Sequence, residues 1–270
     1  MKKILLIICA LFSLLSFGQS PQGGQRICGN QYSAYGLTGI TLSAALDIAG
    51  QIHNEYQEYS LQKLSKLDID FTDTVNLKRI ISESSTPFFE PKGLIYDKNS
   101  HSLNLATYAP TVLSFSQNNY STKGYDIMNQ LQNKLNLYQA NNDVYELLSE
   151  LMVLKDSALL LNDESEVFSV GIPISIAISS FTYWQSNGQR WMDLFAKDDG
   201  LGVDGSHGPS ALNFKQPRVN LAHLGGADLS GAIGGAMAGG FAGAVLVSAT
   251  SSLGNLANQV IGSYVSWWPW

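Results

Sequence analysis

Apolar residues recur with the spacing of an α-helix along most of the chain between residues 41 and 196. Three stretches, 41–67, 122–138 and 143–158, each carry one apolar stripe with a period near 3.6 residues. The loop between the second and third stretches is short, so we expect these two helices to pack antiparallel. The pattern predicts a mainly α-helical protein built as a helical bundle.

Local signals predict where several of these helices begin and end. Thr74 is suited to cap a short helix that we expect to stop before Pro87. Asp143, with Glu146 three residues later, forms a capping-box pattern at the start of the helix over 143–158. The intervening segment 87–121 is interrupted by prolines and is predicted to be mainly loop.

The segment 167–181 is almost entirely apolar or small. Its β-branched residues would also suit a buried strand, but the flanking segments are helical and no partner strand is evident. We therefore predict a central buried helix with Pro173 at its first position, continuing to Trp184. A turn at Asn187-Gly188 and a short helix over 190–196 are expected to follow.

The most distinctive pattern is a row of glycines in a region that carries no charge from Leu229 to the C-terminus. In one continuous helix their four-residue spacing would place them all on one face, forming a ridge without side chains. Glycine costs about 1 kcal/mol relative to alanine inside a helix, so such a helix needs close packing. The predicted helix-packing ridge consists of Gly231, Gly235, Gly239 and Gly243.

Three environments would provide the close packing that this ridge needs. It can pack inside the soluble domain as one helix of a hairpin, with Leu253, Leu256, Val260 and Ile261 on the other helix. It can form a seam with another copy of the chain, or it can enter a membrane. The predicted element is therefore a Gly/Ala-rich C-terminal helix or helical hairpin whose partner is another helix or the chain itself.

Two further features favour membrane contact. The residues from 231 to 249 are uncharged and just long enough to span a bilayer. An aromatic cluster beside an apolar segment is typical of a membrane interface, although the same cluster could close the core of a soluble bundle. The predicted interfacial aromatic residues are Tyr264, Trp267, Trp268 and Trp270.

The N-terminus has the organisation of a secretory signal. Lys2 and Lys3 precede an apolar core over 4–15, and Ser16-Phe17-Gly18 supplies a small-x-small cleavage site before Gln19. We expect export to the periplasm, the outer membrane or the extracellular space. The predicted organisation is a signal peptide (1–18), a flexible leader (19–37), a helical domain (38–196), a Gly/Asp-rich linker (197–228) and the glycine-rich element with its aromatic end (229–270).

Charge and cysteine content narrow the function classes. The full chain has a net charge of −6, and cleavage would remove two lysines and leave about −8. An acidic chain without a basic cluster is not suited to nucleic acid or to electrostatic attraction by anionic lipids, so membrane contact would depend on apolar burial. Cleavage would leave Cys28 alone, which excludes an intramolecular disulfide. Cys28 is then a buried small residue, a free thiol or an intermolecular link.

No residue cluster in the sequence has the spacing of a known reaction centre. His53 lacks a second histidine four residues away and is better suited to a core or helix-face position than to zinc. The glycine-rich acidic stretch 198–205 lacks the calcium-loop spacing, and Asp204, Ser206 and His207 lack a nucleophile elbow. We predict no catalytic, metal or cofactor site, and a secreted enzyme with an unrecognised site stays as an alternative.

The glycine repeat resembles the glycine-zipper segments of bacterial envelope proteins and small secreted bacteriocins. The upstream region, including 53–55 and 183–191, resembles uncharacterised exported bacterial proteins with glycine-rich tails, a likeness that implies no activity. The segment 229–265 is also similar to the apolar hairpin that colicin-type pore-forming toxins carry inside a helical bundle. Those toxins are typically released without a cleaved signal, so the predicted signal peptide argues against this likeness. A pore-forming or bacteriocin-like toxin is therefore kept as an alternative, and a non-enzymatic envelope protein is the main prediction.

Overall fold

The computed structural model describes residues 26–29, 35–67, 74–94, 113, 115–141, 143–196 and 220–265. These residues form a bundle of α-helices, and the predicted mainly α-helical fold is confirmed. Their only bridge between extended residues joins Ile27 and Thr41. The helices are α1 (Leu42–Leu64), α2 (Thr74–Phe89), α3 (Thr122–Asn141), α4 (Val144–Leu159), α5 (Glu164–Ala196) and α6 (Leu221–Val265), with short 3-10 turns at Glu90–Lys92 and Gln117–Asn119.

Helix α5 forms the centre of the bundle. It packs most extensively against α6 and also contacts α1, α3 and α4. Every residue from Val170 to Ala177 is buried, as expected for a helix that is apolar on all sides and enclosed by others. The predicted central helix is therefore confirmed, and it provides the surface on which the glycine-rich element docks.

Helix α5 continues through two positions where we predicted boundaries. Pro173 lies inside the helix rather than at its start, and Asn187-Gly188 is helical, so the predicted separate helix over 190–196 is the last part of α5. The side-chain Nδ2 of Asn187 donates to the Tyr183 carbonyl at 3.1 Å, which supports the helix where a turn was expected. Burial around Pro173 offsets the roughly 3 kcal/mol that an interior proline costs.

The predicted boundaries of the other helices are mostly close to those observed. Thr41 caps α1 by accepting a hydrogen bond from the Ala44 amide. Asp143 caps α4 by accepting from the amides of Tyr145 and Glu146. Helix α2 differs, because it runs through Pro87 to Phe89 instead of ending before the proline.

Two predicted segment boundaries also differ from the structure. Helix α6 begins at Leu221, so the last eight residues of the predicted linker 197–228 are helical. At the other end, the Cys28 side chain is buried, and its amide donates to the Ile40 carbonyl at 2.9 Å. Residues 26–29 of the predicted flexible leader therefore pack on the bundle. The predicted signal peptide and residues 197–219 lie outside the described residues.

Candidate functional site

Helix α6 is a hairpin of two helical arms, 221–238 and 241–265, which we call the glycine hairpin. Gly239 has φ −144° and ψ 19°, and Gly240 has φ 58° and ψ −136°, so neither is helical. The positive φ of Gly240 is readily adopted only by glycine. The arms run antiparallel, because Gly235 faces Gly243 near the turn and Asn220 meets Gln259 at the far end.

The two arms meet through backbone rather than side chains. A Cβ on Gly235 would overlap the carbonyl oxygen of Gly243 and lie 2.8 Å from the Ala244 nitrogen, and a Cβ on Gly243 would overlap the Gly235 carbonyl oxygen. A Cβ on Gly231 would lie 2.5 Å from Ser251 Oγ and 2.9 Å from the Val247 carbonyl oxygen. These three glycines allow the arms to approach to backbone contact.

The predicted ridge on one continuous helix is wrong. The turn at Gly239 and Gly240 divides the row, so that Gly231 and Gly235 lie on the first arm and Gly243 lies on the second. Gly239 is exposed, and a Cβ there would have no atom within 4 Å. Glycines four residues apart are compatible with one long helix or with a hairpin whose turn falls within the glycine row. The chain adopts the hairpin.

The glycine hairpin is docked in the bundle, against α5 and also against α1, α2 and α3. Both arms have buried apolar side chains, including Leu229 and Ile233 on the first and Phe241 and Val245 on the second. Among the described residues of the hairpin, the exposed ones lie toward the tip: Gly234, Gly239 and Gly240 are exposed and Met237 is 46% exposed. The predicted interfacial aromatics lie outside the described part, namely the Tyr264 side chain and Trp267, Trp268 and Trp270.

One carboxylate, which sequence reasoning did not single out, lies at the contact between the hairpin and the bundle. Asp228 is the only acidic residue in 221–265, and it is completely buried. Its Oδ2 accepts from Ser180 Oγ at 2.6 Å and from Trp184 Nε1 at 3.3 Å, both on α5. Its Oδ1 accepts from the amide of Ser252 on the second arm at 3.1 Å. A buried charge needs such partners.

The fourth partner of Asp228 is His53 on α1, which is also completely buried. His53 Nε2 lies 3.1 Å from Asp228 Oδ2, a close ion pair rather than a well-aligned hydrogen bond. On the other side of the ring, Nδ1 lies 3.0 Å from Asn54 Oδ1. Asn54 uses its amide nitrogen to donate to the Ser179 carbonyl, so its oxygen faces the histidine. Both ring nitrogens thus face acceptors, as in a protonated imidazolium.

The pKa of His53 reflects two opposing causes. Burial alone would lower the pKa, but the charge of Asp228 and the contacts with Asp228 and Asn54 outweigh that effect, so the pKa is raised above its ordinary value. A histidine with a raised pKa beside a carboxylate is stabilised in its charged form. The contact between α1 and the first arm is therefore a buried pair of His53 and Asp228, which is an ion pair when the imidazole is protonated.

A second polar contact joins α1 to the other arm. Gln57, one turn after His53, is buried and donates from Nε2 to Ser252 Oγ at 2.6 Å and to the Ala249 carbonyl at 3.1 Å. We call the group of His53, Gln57, Ser180, Trp184, Asp228 and Ser252 the Asp228 cluster. It connects α1, α5 and both arms of the glycine hairpin.

The Asp228 cluster contains serine, histidine and aspartate but does not have the geometry of a hydrolase triad. Ser180 donates to Asp228 rather than to His53, and all three residues are buried. A triad needs the serine on the histidine and access for substrate. A cavity elsewhere, between α3 and α4 near Lys134 and Glu150, has about 20 Å³, room for about one water.

Within the described ranges, no group of three or more His, Cys, Asp or Glu residues is arranged to hold a metal. The acidic stretch 198–205 and the Asp204, Ser206 and His207 group lie outside those ranges. Cys28 is a free thiol, and burial together with the nearby charge of Glu164 raises its pKa. A higher pKa makes the reactive thiolate scarcer, as expected for a structural cysteine.

Among the described residues, one helical segment is long and apolar enough to cross a membrane, and it belongs to α5 rather than to the glycine hairpin. This segment, Glu164–Leu194, has a mean hydropathy of 1.4 in its most apolar window, and 78% of that window is buried. The core helix of a soluble bundle has the same properties. No protein-family model, curated protein or solved structure matches the chain.

Proposed function

We propose that this protein is an exported, non-enzymatic protein of the cell envelope that contacts lipid bilayers through its glycine hairpin. The observation that carries the proposal is the contrast within the hairpin. Its arms are buried in the bundle, whereas its uncharged tip around Met237, Gly239 and Gly240 is exposed. An exposed apolar tip can enter a bilayer first, without separating from the bundle beforehand.

The dimensions and composition of the arms fit this role. At 1.5 Å per residue the arms extend roughly 27 Å and 38 Å, close to the hydrocarbon thickness of about 30 Å. No lysine, arginine or glutamate occurs in 221–265, and Asp228 is its one acidic residue. Backbone contact through small residues is also how helices associate in lipid, where apolar side chains gain nothing by leaving the solvent. The hairpin could therefore keep its internal packing in both environments.

Liposome flotation with two matched methionine variants tests the proposal. Met237 at the tip and Met152 on α4 are exposed to nearly the same extent, 46% and 45%. We expect the unmodified protein to float with neutral liposomes, and Met237→Glu to reduce the bound fraction at least tenfold because it places a charge at the entry point. Met152→Glu adds the same charge elsewhere and should bind like the unmodified protein.

Two results would contradict the proposal. If the unmodified protein stays monomeric in the soluble fraction at every lipid concentration, the hairpin serves only as part of the core. If both glutamate variants lose binding equally, the tip is not the entry point. Release of a dye trapped in the liposomes would favour the pore-forming alternative over simple attachment.

The export component is tested separately. Fractionation of the native host should place the protein outside the cytoplasm, and mass spectrometry should find a mature N-terminus at or near Gln19. Cytosolic protein that retains Met1 would contradict export.

A further inference from the structure

Asp228 has a position that neither hairpin packing nor membrane contact explains. The glycine contacts and apolar side chains already hold the arms together, yet the only carboxylate of the hairpin is buried at its centre. Its partners come from α1, α5 and the opposite arm: His53, Ser180, Trp184 and the amide of Ser252. Withdrawal of the hairpin from the bundle would separate Asp228 from all of these partners except Ser252.

The same carboxylate is poorly suited to the bilayer. Asp228 lies about twelve residues from the turn, which is roughly 18 Å along a helix and near the middle of a bilayer entered tip first. An ionisable side chain at that depth is unfavourable, and the bundle partners that stabilise it would be absent. Asp228 therefore stabilises the docked state and destabilises the inserted state.

We infer that Asp228 is an autoinhibitory retention contact, which keeps the glycine hairpin in the bundle and opposes its transfer into lipid. This inference rests on the proposed function, because it concerns how membrane contact through the same hairpin is restrained. His53 contributes only to the stability of the docked state. It holds Asp228 in the bundle, but on α1 it does not travel with the hairpin.

This difference between the two partners supplies the test. Asp228→Asn removes the ion pair and the charge that would enter lipid, whereas His53→Gln removes the ion pair and leaves the carboxylate on the hairpin. We expect Asp228→Asn to raise the liposome partition coefficient at least tenfold over the unmodified protein. His53→Gln should raise it less, even where urea unfolding shows that the two variants have lost similar stability.

A double variant separates retention from general weakening of the fold. His53→Leu with Asp228→Leu replaces the buried pair by apolar side chains, a change that is often neutral or stabilising in other proteins. We expect this double variant to remain folded by circular dichroism and to partition into liposomes at least tenfold more than the unmodified protein. Leu151→Ala on α4 controls for loss of stability outside the hairpin and should give no such increase.

The outcomes distinguish failure of the inference from failure of the proposed function. Suppose that the unmodified protein binds liposomes and that Met237→Glu loses binding. If neither Asp228→Asn nor the double leucine variant then binds more tightly than the unmodified protein, the retention contact is refuted while membrane contact stands. Equal partition of Asp228→Asn and His53→Gln at equal stability also refutes it. If the unmodified protein does not bind liposomes at any lipid concentration, membrane contact itself is refuted.

Discussion

Two antiparallel helical hairpins in this bundle are held together in opposite ways. The hairpin of α3 and α4 joins through buried side chains, including Leu131, Leu135, Leu151 and Leu154, with an ion pair between Lys134 and Glu150 near its surface. The glycine hairpin has no apolar side chain at its closest contact, where the backbones of Gly235 and Gly243 meet. The contact between α3 and α4 depends on side chains that fill the space between the helices. The contact between the arms of the glycine hairpin depends on the lack of side chains at its glycines.

This contrast determines which changes each hairpin tolerates. A side-chain interface loses stability when atoms are removed but can adapt to conservative exchanges of similar volume. A backbone interface has no side chain that can rotate away, so an added methyl group must move a helix. The two hairpins also differ in where a key carboxylate lies, because Asp143 of the first hairpin is an exposed cap and Asp228 of the second is buried.

The largest expected effect distinguishes these two aspartates. Asp228→Ala would remove the counter-charge of buried His53 and the acceptor of Ser180 and Trp184, and breaking a buried pair in this way typically costs about 3–5 kcal/mol. Asp143→Ala removes the exposed cap of α4 and should cost about 1 kcal/mol. Urea unfolding followed by circular dichroism measures both. Similar losses at the two positions would show that the Asp228 cluster is not a buried ion pair.

Removing volume should damage the side-chain hairpin next most strongly. Leu151 is completely buried on α4, and Leu151→Ala should lower the free energy of unfolding by about 2–5 kcal/mol. Val153 lies two residues away and is 59% exposed, so Val153→Ala should change it by less than about 0.5 kcal/mol. Equal effects in urea unfolding would mean that α4 does not pack as described.

Adding volume should damage the glycine hairpin instead. Gly235→Ala would force its Cβ against the carbonyl oxygen of Gly243, and overpacking of this kind costs about 1–3 kcal/mol. The neighbouring Gly234 is exposed with no atom within 4 Å of a Cβ, so Gly234→Ala should stabilise the helix by up to about 1 kcal/mol. Thermal unfolding of the two variants should therefore shift in opposite directions, and tolerance of alanine at both would contradict backbone contact.

The smallest expected effect, and the one most specific to His53, is the pH dependence of stability. The raised folded-state pKa of His53 exceeds the value of about 6.5 in an unfolded chain. The contribution of the ion pair is therefore complete below about pH 6.5 and is lost as the pH rises through the folded-state pKa. Unfolding midpoints should fall over this range in the unmodified protein, and His53→Gln should remove that component. If the midpoint instead rises over this pH range in the unmodified protein but not in His53→Gln, the pairing of His53 with Asp228 is contradicted.

Sequence reasoning predicted the architecture because helix formation depends largely on local pattern. The stripes over 41–67, 122–138 and 143–158, and the cap at Asp143, are consequences of residues within a few positions of one another. The need for close packing around Gly231, Gly235 and Gly243 also follows from composition alone. A lone acidic residue, Asp228, between apolar and small residues was a usable signal for a buried pair, but its partner could not be named.

The tertiary structure decided where local preference was weak or where distant residues meet. Pro173 and Asn187-Gly188 are locally unfavourable in a helix, yet burial and side-chain hydrogen bonds make α5 continuous through both. The glycine row could form one helix or two, and docking on α5 and α1 selects the fold that divides it at Gly239 and Gly240. His53 and Asp228 are far apart in the chain, and only the packing of α1 against the hairpin brings them together, because sequence spacing carries no information about long-range contact.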